Sequence, residues 1–219
     1  MSKLVIVEEV TGDLPVNFVK QARAASWSEL GVREATLIQG CVSKDESACA
    51  ELVAEHQRMV VQLAMNLLGD RDEALDLSQD VFLRVFRTIH RFRGQSTLRT
   101  WIYRIAVNQA RNRHRFWRRR HRADQVSFDA HVAAHGEFPS SRQWTPEHAF
   151  EQKELAARLH GALNHLPFDQ RTVIVLREVD GLSYEDIAFS LGVAIGTVKS
   201  RLTRARQALR LELGAERRL

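Results

Sequence analysis

Four carboxylates open the inventory of groups that could do chemistry. Asp72, Glu73, Asp76 and Asp80 recur close to a four-residue spacing, so on a helix they share one face. Carboxylates grouped in this way can hold a divalent cation for phosphodiester hydrolysis. They can also meet a basic protein, or simply complement the positive N-terminal end of a helix dipole. No His stands among them and their neighbours are apolar, so metal-dependent hydrolysis is set aside. No metal, cofactor or small-molecule substrate is expected, and no enzymatic activity.

The second set is cationic. From Arg84 to Arg122 there is no Asp or Glu, while Arg84, Arg87, Arg91, Arg93, Arg99, Arg104, Arg111, Arg113, Arg115, Arg118, Arg119, Arg120 and Arg122 all fall inside the stretch. A solvated helix face normally mixes signs. Phe92, Trp101, Tyr103, Phe116 and Trp117 are interleaved with the arginines. Cations for phosphates and rings for unstacked bases together suit a single-stranded nucleic acid. Trp101 is the ring most expected to be core.

The third set lies in Leu182–Leu211. Ser183 followed by Asp186 has the spacing of a capping box, Gly192 can take positive φ at a bend, and Thr197 is a second capping candidate. Ile187, Ala188 and Leu191 face inward before the bend, and Val198, Leu202, Ala205 and Leu209 after it. The outer face of the second helix is Lys199, Ser200, Arg201, Thr203, Arg204 and Arg206, with no acid. This is what a helix-turn-helix needs. A small Ala188 lets the helices cross closely, Val198 locks them, and the polar face enters a major groove.

The elements that must position these groups are helices. The chain has 219 residues, a formal net charge of +5, few glycines and prolines, and apolar spacing mostly of helical period. The expected fold is all-α: two small helical domains joined by a flexible linker. Residues 1–33 form an N-terminal extension of uncertain structure, with a short apolar run at Leu4–Val7 and a candidate helix at Val16–Leu30. Domain 34–122 begins with a short face of Leu37, Ile38 and Cys41. A long helix follows, started near Asp45 and Ser47 and ended by Gly69-Asp70. In the helix Arg71–Phe92, the stripe Leu77, Val81, Phe82, Val85, Phe86 and Ile89 faces a core. Another helix covers Leu98–Arg122. Residues 123–146 lose periodicity and contain Gly136, Pro139 and Pro146, as a linker does. Domain 147–219 resumes with a helix whose inner face is Leu155, Leu159, Leu163 and Leu166. Pro167 stops it, and Asp169–Val179 leads into the helix-turn-helix. Cys41 and Cys49 form no CxxC and have no metal-ligand spacing, so they are expected as reduced thiols in a cytosolic protein. No membrane span or signal peptide is expected.

Several linked motifs resemble one family. They are Asp76-Leu-Ser-Gln-Asp-Val-Phe-Leu-Arg-Val-Phe86, Phe92-Arg-Gly94, Thr100-Trp-Ile-Tyr-Arg-Ile-Ala-Val-Asn108, Leu166-Pro167, Glu178-Val-Asp-Gly-Leu-Ser-Tyr-Glu-Asp-Ile-Ala188 and Gly196-Thr-Val-Lys-Ser-Arg201. Their order and spacing over 34–122 and 147–213 resemble the extracytoplasmic-function (ECF, group IV) sigma factors of the sigma-70 family. The resemblance implies that domain 34–122 is sigma region 2 and domain 147–219 is sigma region 4. It implies docking on the clamp of core RNA polymerase through Asp72, Asp76, Leu77, Asp80, Val81 and Phe82. It implies recognition and melting of the −10 element by Phe92, Arg93, Gln95, Ser96, Thr97, Trp101, Tyr103, Asn108, Arg111 and Arg115. The −35 reader would be Thr197, Lys199, Ser200, Arg201, Thr203, Arg204 and Arg206. The implied partners are core polymerase, promoter DNA and an anti-sigma factor, and the implied location is the cytoplasm, at the nucleoid. The chain departs from the pattern in its N-terminal extension, in Gln95-Ser-Thr97 and at Thr203, which leaves the promoter sequence open. The alternative is a helix-turn-helix transcriptional regulator with a helical sensor, which would have no need of the arginine block.

Overall fold

In the computed structural model of the chain, residues 31–123 and 157–215 are described. The expected elements at Leu4–Val7 and Val16–Leu30, Leu155, and all but the first residue of the 123–146 linker lie outside them.

Helix α1 (Val32–Val42) buries Leu37, Ile38 and Cys41 against α2 (Glu46–Leu68). The Asp45 carboxylate caps α2 by accepting from the Ser47 amide at 3.0 Å. Gly69, at φ 75°, ends α2 in the left-handed conformation that glycine adopts without steric cost. Asp70 then caps α3 (Arg71–Thr88), accepting from the Glu73 amide at 2.8 Å. A 3-10 turn at Ile89–Arg91 replaces the end of the single helix expected to reach Phe92. The long basic helix α4 (Leu98–Ala123) follows a loop. Leu52, Val60, Ala64, Leu77, Val81, Val85, Ile102, Ala106 and Val107 are buried where α2, α3 and α4 pack together. Cys41 and Cys49 are free thiols, and burial pushes the Cys41 thiol up to about 12.

The second group begins with α5 (157–165) and α6 (Phe168–Ile174), the latter widening into a π-helical turn at Val175–Val179. Ala162, Leu163 and Leu166 are the buried side of this segment. Leu159, expected on the inner face, is 39% exposed. Helices α7 (Tyr184–Leu191) and α8 (Ile195–Ala215) complete the group. The two helical groups expected from the sequence are therefore both present, and they touch. Helix α7 lies along α4, and the end of α6 reaches α2. Gly69 stands where a side chain would press on Asn164, since a Cβ there would come within 3.1 Å of the Asn164 amide nitrogen.

Candidate nucleic-acid interface

The helix-turn-helix is built by local signals. Ser183 Oγ accepts from the Asp186 amide at 3.0 Å and donates to the Asp186 carboxylate at 2.6 Å. Gly192, at φ 65°, closes α7, and the Val193 amide reaches back to the Ala188 carbonyl at 3.1 Å. Ala188, Val198, Leu202 and Ala205 are buried where α7 and α8 cross. The α8 start differs from expectation. The amides of Thr197 and Val198 both donate to the Ala194 carbonyl, so Thr197 lies within the first turn and is not its cap.

Lys199, Ser200, Thr203 and Arg204 are exposed together on α8. The hydroxyls of Ser200 and Thr203 donate to the helix's own carbonyls of Thr197 and Lys199, each at 3.0 Å, which leaves their oxygens as acceptors outward. The Lys199 ammonium stands 5.7 Å from the centre of the Tyr184 ring. Arg201 and Arg206 are engaged by acids instead. Arg201 meets Asp169 at 2.8 Å, and Arg206 meets Glu178 at 2.6 Å.

On the first group, α4 starts under two caps. Thr97 Oγ1 accepts from the Thr100 amide at 3.1 Å, and Glu34 from α1 accepts from the Leu98 amide at 2.8 Å. In the preceding loop Arg93, Gln95 and Thr97 are exposed and Ser96 is half-buried. Phe92 is buried, with its ring 5.5 Å from that of Trp101, and so supports the loop from inside. Asn108 and Arg115 are exposed, while Trp101 and Arg111 are half-buried.

The core ring of α4 is Tyr103, not Trp101. Tyr103 has no exposed surface, while Trp101 only packs against the core edge. Burial and the neighbouring Asp180 carboxylate push the Tyr103 phenol up to about 12, so it remains a hydrogen-bond donor. Arg99 lies 3.3 Å from the phenolic oxygen. The reason is tertiary: α7 and the turn before it cover the side of α4 on which Tyr103 stands.

On α3, Asp72, Asp76 and Asp80 are exposed. Leu77, Val81 and Phe82 are not available to a partner in this arrangement; they are 2%, 0% and 6% exposed and anchor the helix. The large apolar residues of α3 that do reach the surface are Leu75 and Leu83, which the core-facing stripe read from the sequence left out. Arg113 of α4 partly neutralises the acidic face, with contacts of 2.8 Å to Glu73 and 3.0 Å to Asp80. Asp169, Asp180 and Asp186 meet α4 from the other group; the sequence marks Asp186 only as the capping partner of Ser183, because nothing local marks an acid as facing a helix so far away in the chain.

Residues 52–125 match the family model described as Sigma-70 region 2, and residues 156–209 match that of Sigma-70, region 4. The chain is 36% identical over 173 residues to the RNA polymerase sigma-H factor of Pseudomonas aeruginosa, covering 79% of this chain and 90% of that protein. It is also 36% identical to the ECF RNA polymerase sigma-E factor of Haemophilus influenzae, covering 79% of this chain and 91% of that one. Among solved structures, the sigma factor RpoE in complex with the anti-sigma factor NepR from Bartonella quintana superposes with a TM-score of 0.58 at 29% identity, covering 75% of this chain and 96% of that one. CnrH, solved with the cytosolic domain of CnrY, gives a TM-score of 0.60 at 25% identity, covering 83% of this chain and 97% of that one. With both regions matched in order on two helical groups, the chain belongs to the ECF sigma factors of the sigma-70 family.

Proposed function

We propose that this chain binds core RNA polymerase and directs promoter-specific initiation, reading the −35 element with α8 and the −10 element with α4 and the loop before it. The observation that carries this is the exposed row Lys199, Ser200, Thr203 and Arg204 on a helix locked by Val198. Long cations and hydroxyls at the start of such a helix reach base edges and phosphates in a major groove.

The division of labour follows from charge. Asp72, Asp76 and Asp80, beside Leu75 and Leu83, make an acidic and apolar patch that DNA would repel and a basic polymerase surface would accept. Leu77, Val81 and Phe82 serve that patch from within. Arg93, Gln95, Ser96, Thr97, Trp101, Asn108, Arg111 and Arg115 form the −10 side. A cationic and aromatic surface of this kind suits a strand whose bases are unstacked. Phe92 and Tyr103 support it from the core. On this reading domains 34–122 and 147–219 act as the two promoter-reading arms, the chain is a non-catalytic subunit, and it works in the cytoplasm at the nucleoid. Two of the solved relatives are bound to an anti-sigma factor or to the cytosolic domain of CnrY. An anti-sigma factor is accordingly the proposed inhibitor.

Run-off transcription with core polymerase tests the reading. Promoter-specific transcripts that require this chain support it. Specific duplex binding with no initiation, whatever the promoter, would instead favour a helix-turn-helix regulator.

A further inference from the structure

Cys41 and Cys49 are the two cysteines of the chain, and the fold sets them side by side. Cys41 is buried in the last turn of α1, and Cys49 is half-buried near the start of α2. Only Ser43, Lys44 and Asp45 separate the two helices. Lys44 takes the left-handed conformation at φ 63°, and its amide donates to the Cys41 carbonyl at 3.2 Å. The Asp45 amide donates to the Gly40 carbonyl at 2.9 Å. These bonds turn the chain back on itself, so α2 starts against the end of α1. Gly40 permits the close approach: a Cβ there would come within 2.5 Å of the Ala48 Cβ. With no side chain between the helices at that point, the neighbouring thiols of Cys41 and Cys49 share a side-chain hydrogen bond.

We propose that Cys41 and Cys49 are an oxidation site, at which a peroxide closes a disulfide that staples α1 to α2 and fixes the cap that α1 places on α4.

The geometry and the chemistry agree. A disulfide needs Cα atoms within about 7 Å and side chains that point at each other, and a hydrogen-bonded thiol pair on abutting helices meets the second condition already. Burial first, then Cys49 and Asp45, hold Cys41 in its thiol form at neutral pH. The thiolate is the nucleophile, so attack on the oxidant falls to the more accessible Cys49. Its sulfur bonds to one peroxide oxygen, the O–O bond breaks, and the hydroxide released takes a proton to become water. The Cys41 sulfur then attacks the sulfenic acid formed on Cys49. The S–S bond forms, the S–O bond breaks, and the departing hydroxide leaves with the Cys41 proton as a second water. Two thiols are oxidised by two electrons and one peroxide is reduced to two waters.

The staple acts on α4 through Glu34, which lies about two turns before Cys41 on α1. Its carboxylate accepts from the Leu98 amide at 2.8 Å, one of the α4 amides that have no acceptor within the helix. That end of α1 is tied to α2 by the exposed pair of Arg33 with Glu51, and exposed pairs hold weakly. A covalent bond at the other end confines α1 and keeps Glu34 on the Leu98 amide. A consequence for −10 choice rests on the assignment of α4 and the loop before it as the −10 reader; the disulfide itself does not.

The experiment treats the whole chain with hydrogen peroxide and then with dithiothreitol. Oxidation should remove both free thiols, leave the chain monomeric on a non-reducing gel, and yield a peptide pair linked through Cys41 and Cys49. Dithiothreitol should restore both thiols. The Leu98 amide should exchange with deuterium about tenfold more slowly in the oxidised chain. In Cys41→Ala, peroxide should instead leave a sulfenic acid on Cys49 that dimedone traps. If that variant loses helicity, dimedone labelling of the wild-type chain early in the reaction, on Cys49 and not on Cys41, replaces it. Retention of both thiols, or oxidation to a dimer linked between chains, overturns the site. A disulfide that leaves Leu98 exchange unchanged overturns its coupling to α4. None of these readouts needs polymerase or a promoter, so they succeed or fail separately from run-off transcription.

Discussion

Arg171 Nη1 donates to the main-chain carbonyl of Leu67 at 2.8 Å, joining the second helical group to the last turn of α2. The same guanidinium holds the Asn164 side chain at 3.0 Å and the Asn164 carbonyl at 2.6 Å. Arg171 is 6% exposed, and burial pushes it down to about 10, so it is still charged at neutral pH. Its partners are carbonyl oxygens at helix ends, where a cation also meets the negative end of the dipole. Arg171→Met should therefore leave several buried acceptors unpaired and cost about 2–4 kcal/mol. Arg171→Lys should recover only part, because an ammonium cannot reproduce the fork. Urea unfolding at neutral pH checks both; a loss below about 0.5 kcal/mol for Arg171→Met would show the contacts to be incidental.

Asp180 gives a prediction of opposite sign. Burial raises it to about 6, partly countered by the Tyr103 hydroxyl and Arg99. A carboxyl whose folded value exceeds its ordinary one costs stability when charged, and that cost fades as pH falls from about 6 toward the ordinary carboxylate range. Asp180→Asn keeps an acceptor for Tyr103 and removes the charge. It should raise stability at neutral pH by about 1–2 kcal/mol, with the gain vanishing in acid. A variant that melts lower than wild type at neutral pH would contradict this.

His114 runs the other way with pH. Its ring stacks on Phe168 with centroids 4.8 Å apart, and burial followed by Arg171 and Arg118 holds it below the usual histidine range. His56 and His160 are also lowered by burial. A histidine whose folded value is depressed supports the fold fully above its ordinary value. That support is lost as pH falls below it toward the depressed value. Urea midpoints should drop between about pH 7 and pH 5, and more shallowly in His114→Gln. An unchanged slope in the variant would remove His114 from the account.

The acidic patch of α3 is testable without disturbing the core. Asp76→Arg with Asp80→Arg should weaken capture of core polymerase by about tenfold or more while leaving helicity intact, because Leu77, Val81 and Phe82 remain buried. Adding Leu83→Glu should deepen the loss. Full capture by the double variant would place the polymerase contact elsewhere.

On α8, Arg204→Ala should cost roughly 1–3 kcal/mol on the preferred −35 duplex and relax preference at one or two positions. Arg201→Ala and Arg206→Ala should weaken all duplexes alike, each flattening the salt slope by about one. Their loss should be smaller than that of a free cation, since Asp169 and Glu178 must first release them. Exchange of Gln95-Ser-Thr97 should alter −10 choice alone. Electrophoretic and transcription assays across promoter variants separate these; −35 choice that follows the loop would refute the assignment.

Most of the fold was legible because helices announce themselves within a few residues. Asp45 and Ser183 cap the helices they precede, Gly69 and Gly192 end the helices before them, and the inward stripes of α3 and α8 follow the helical period; Asp70, read only as part of the end of α2, caps α3. The exposed row of Lys199, Ser200, Thr203 and Arg204 follows from the same period. Thr197 was misplaced because an adjacent carbonyl, from Ala194, took over the start of α8. Leu159 and the exchange of roles between Trp101 and Tyr103 depended on which face of a helix another helix covers. That choice is made between segments distant in sequence. The pairing of Thr100 with Asp186 spans 86 residues and that of Arg171 with Leu67 spans 104. Period and capping act over one or two turns and are written in neighbouring residues. The burial of Tyr103, the charge on Asp180 and the sharing of Asp169 between Arg111 and Arg201 depend on long-range packing and desolvation, which exist only once α4 and α7 are side by side.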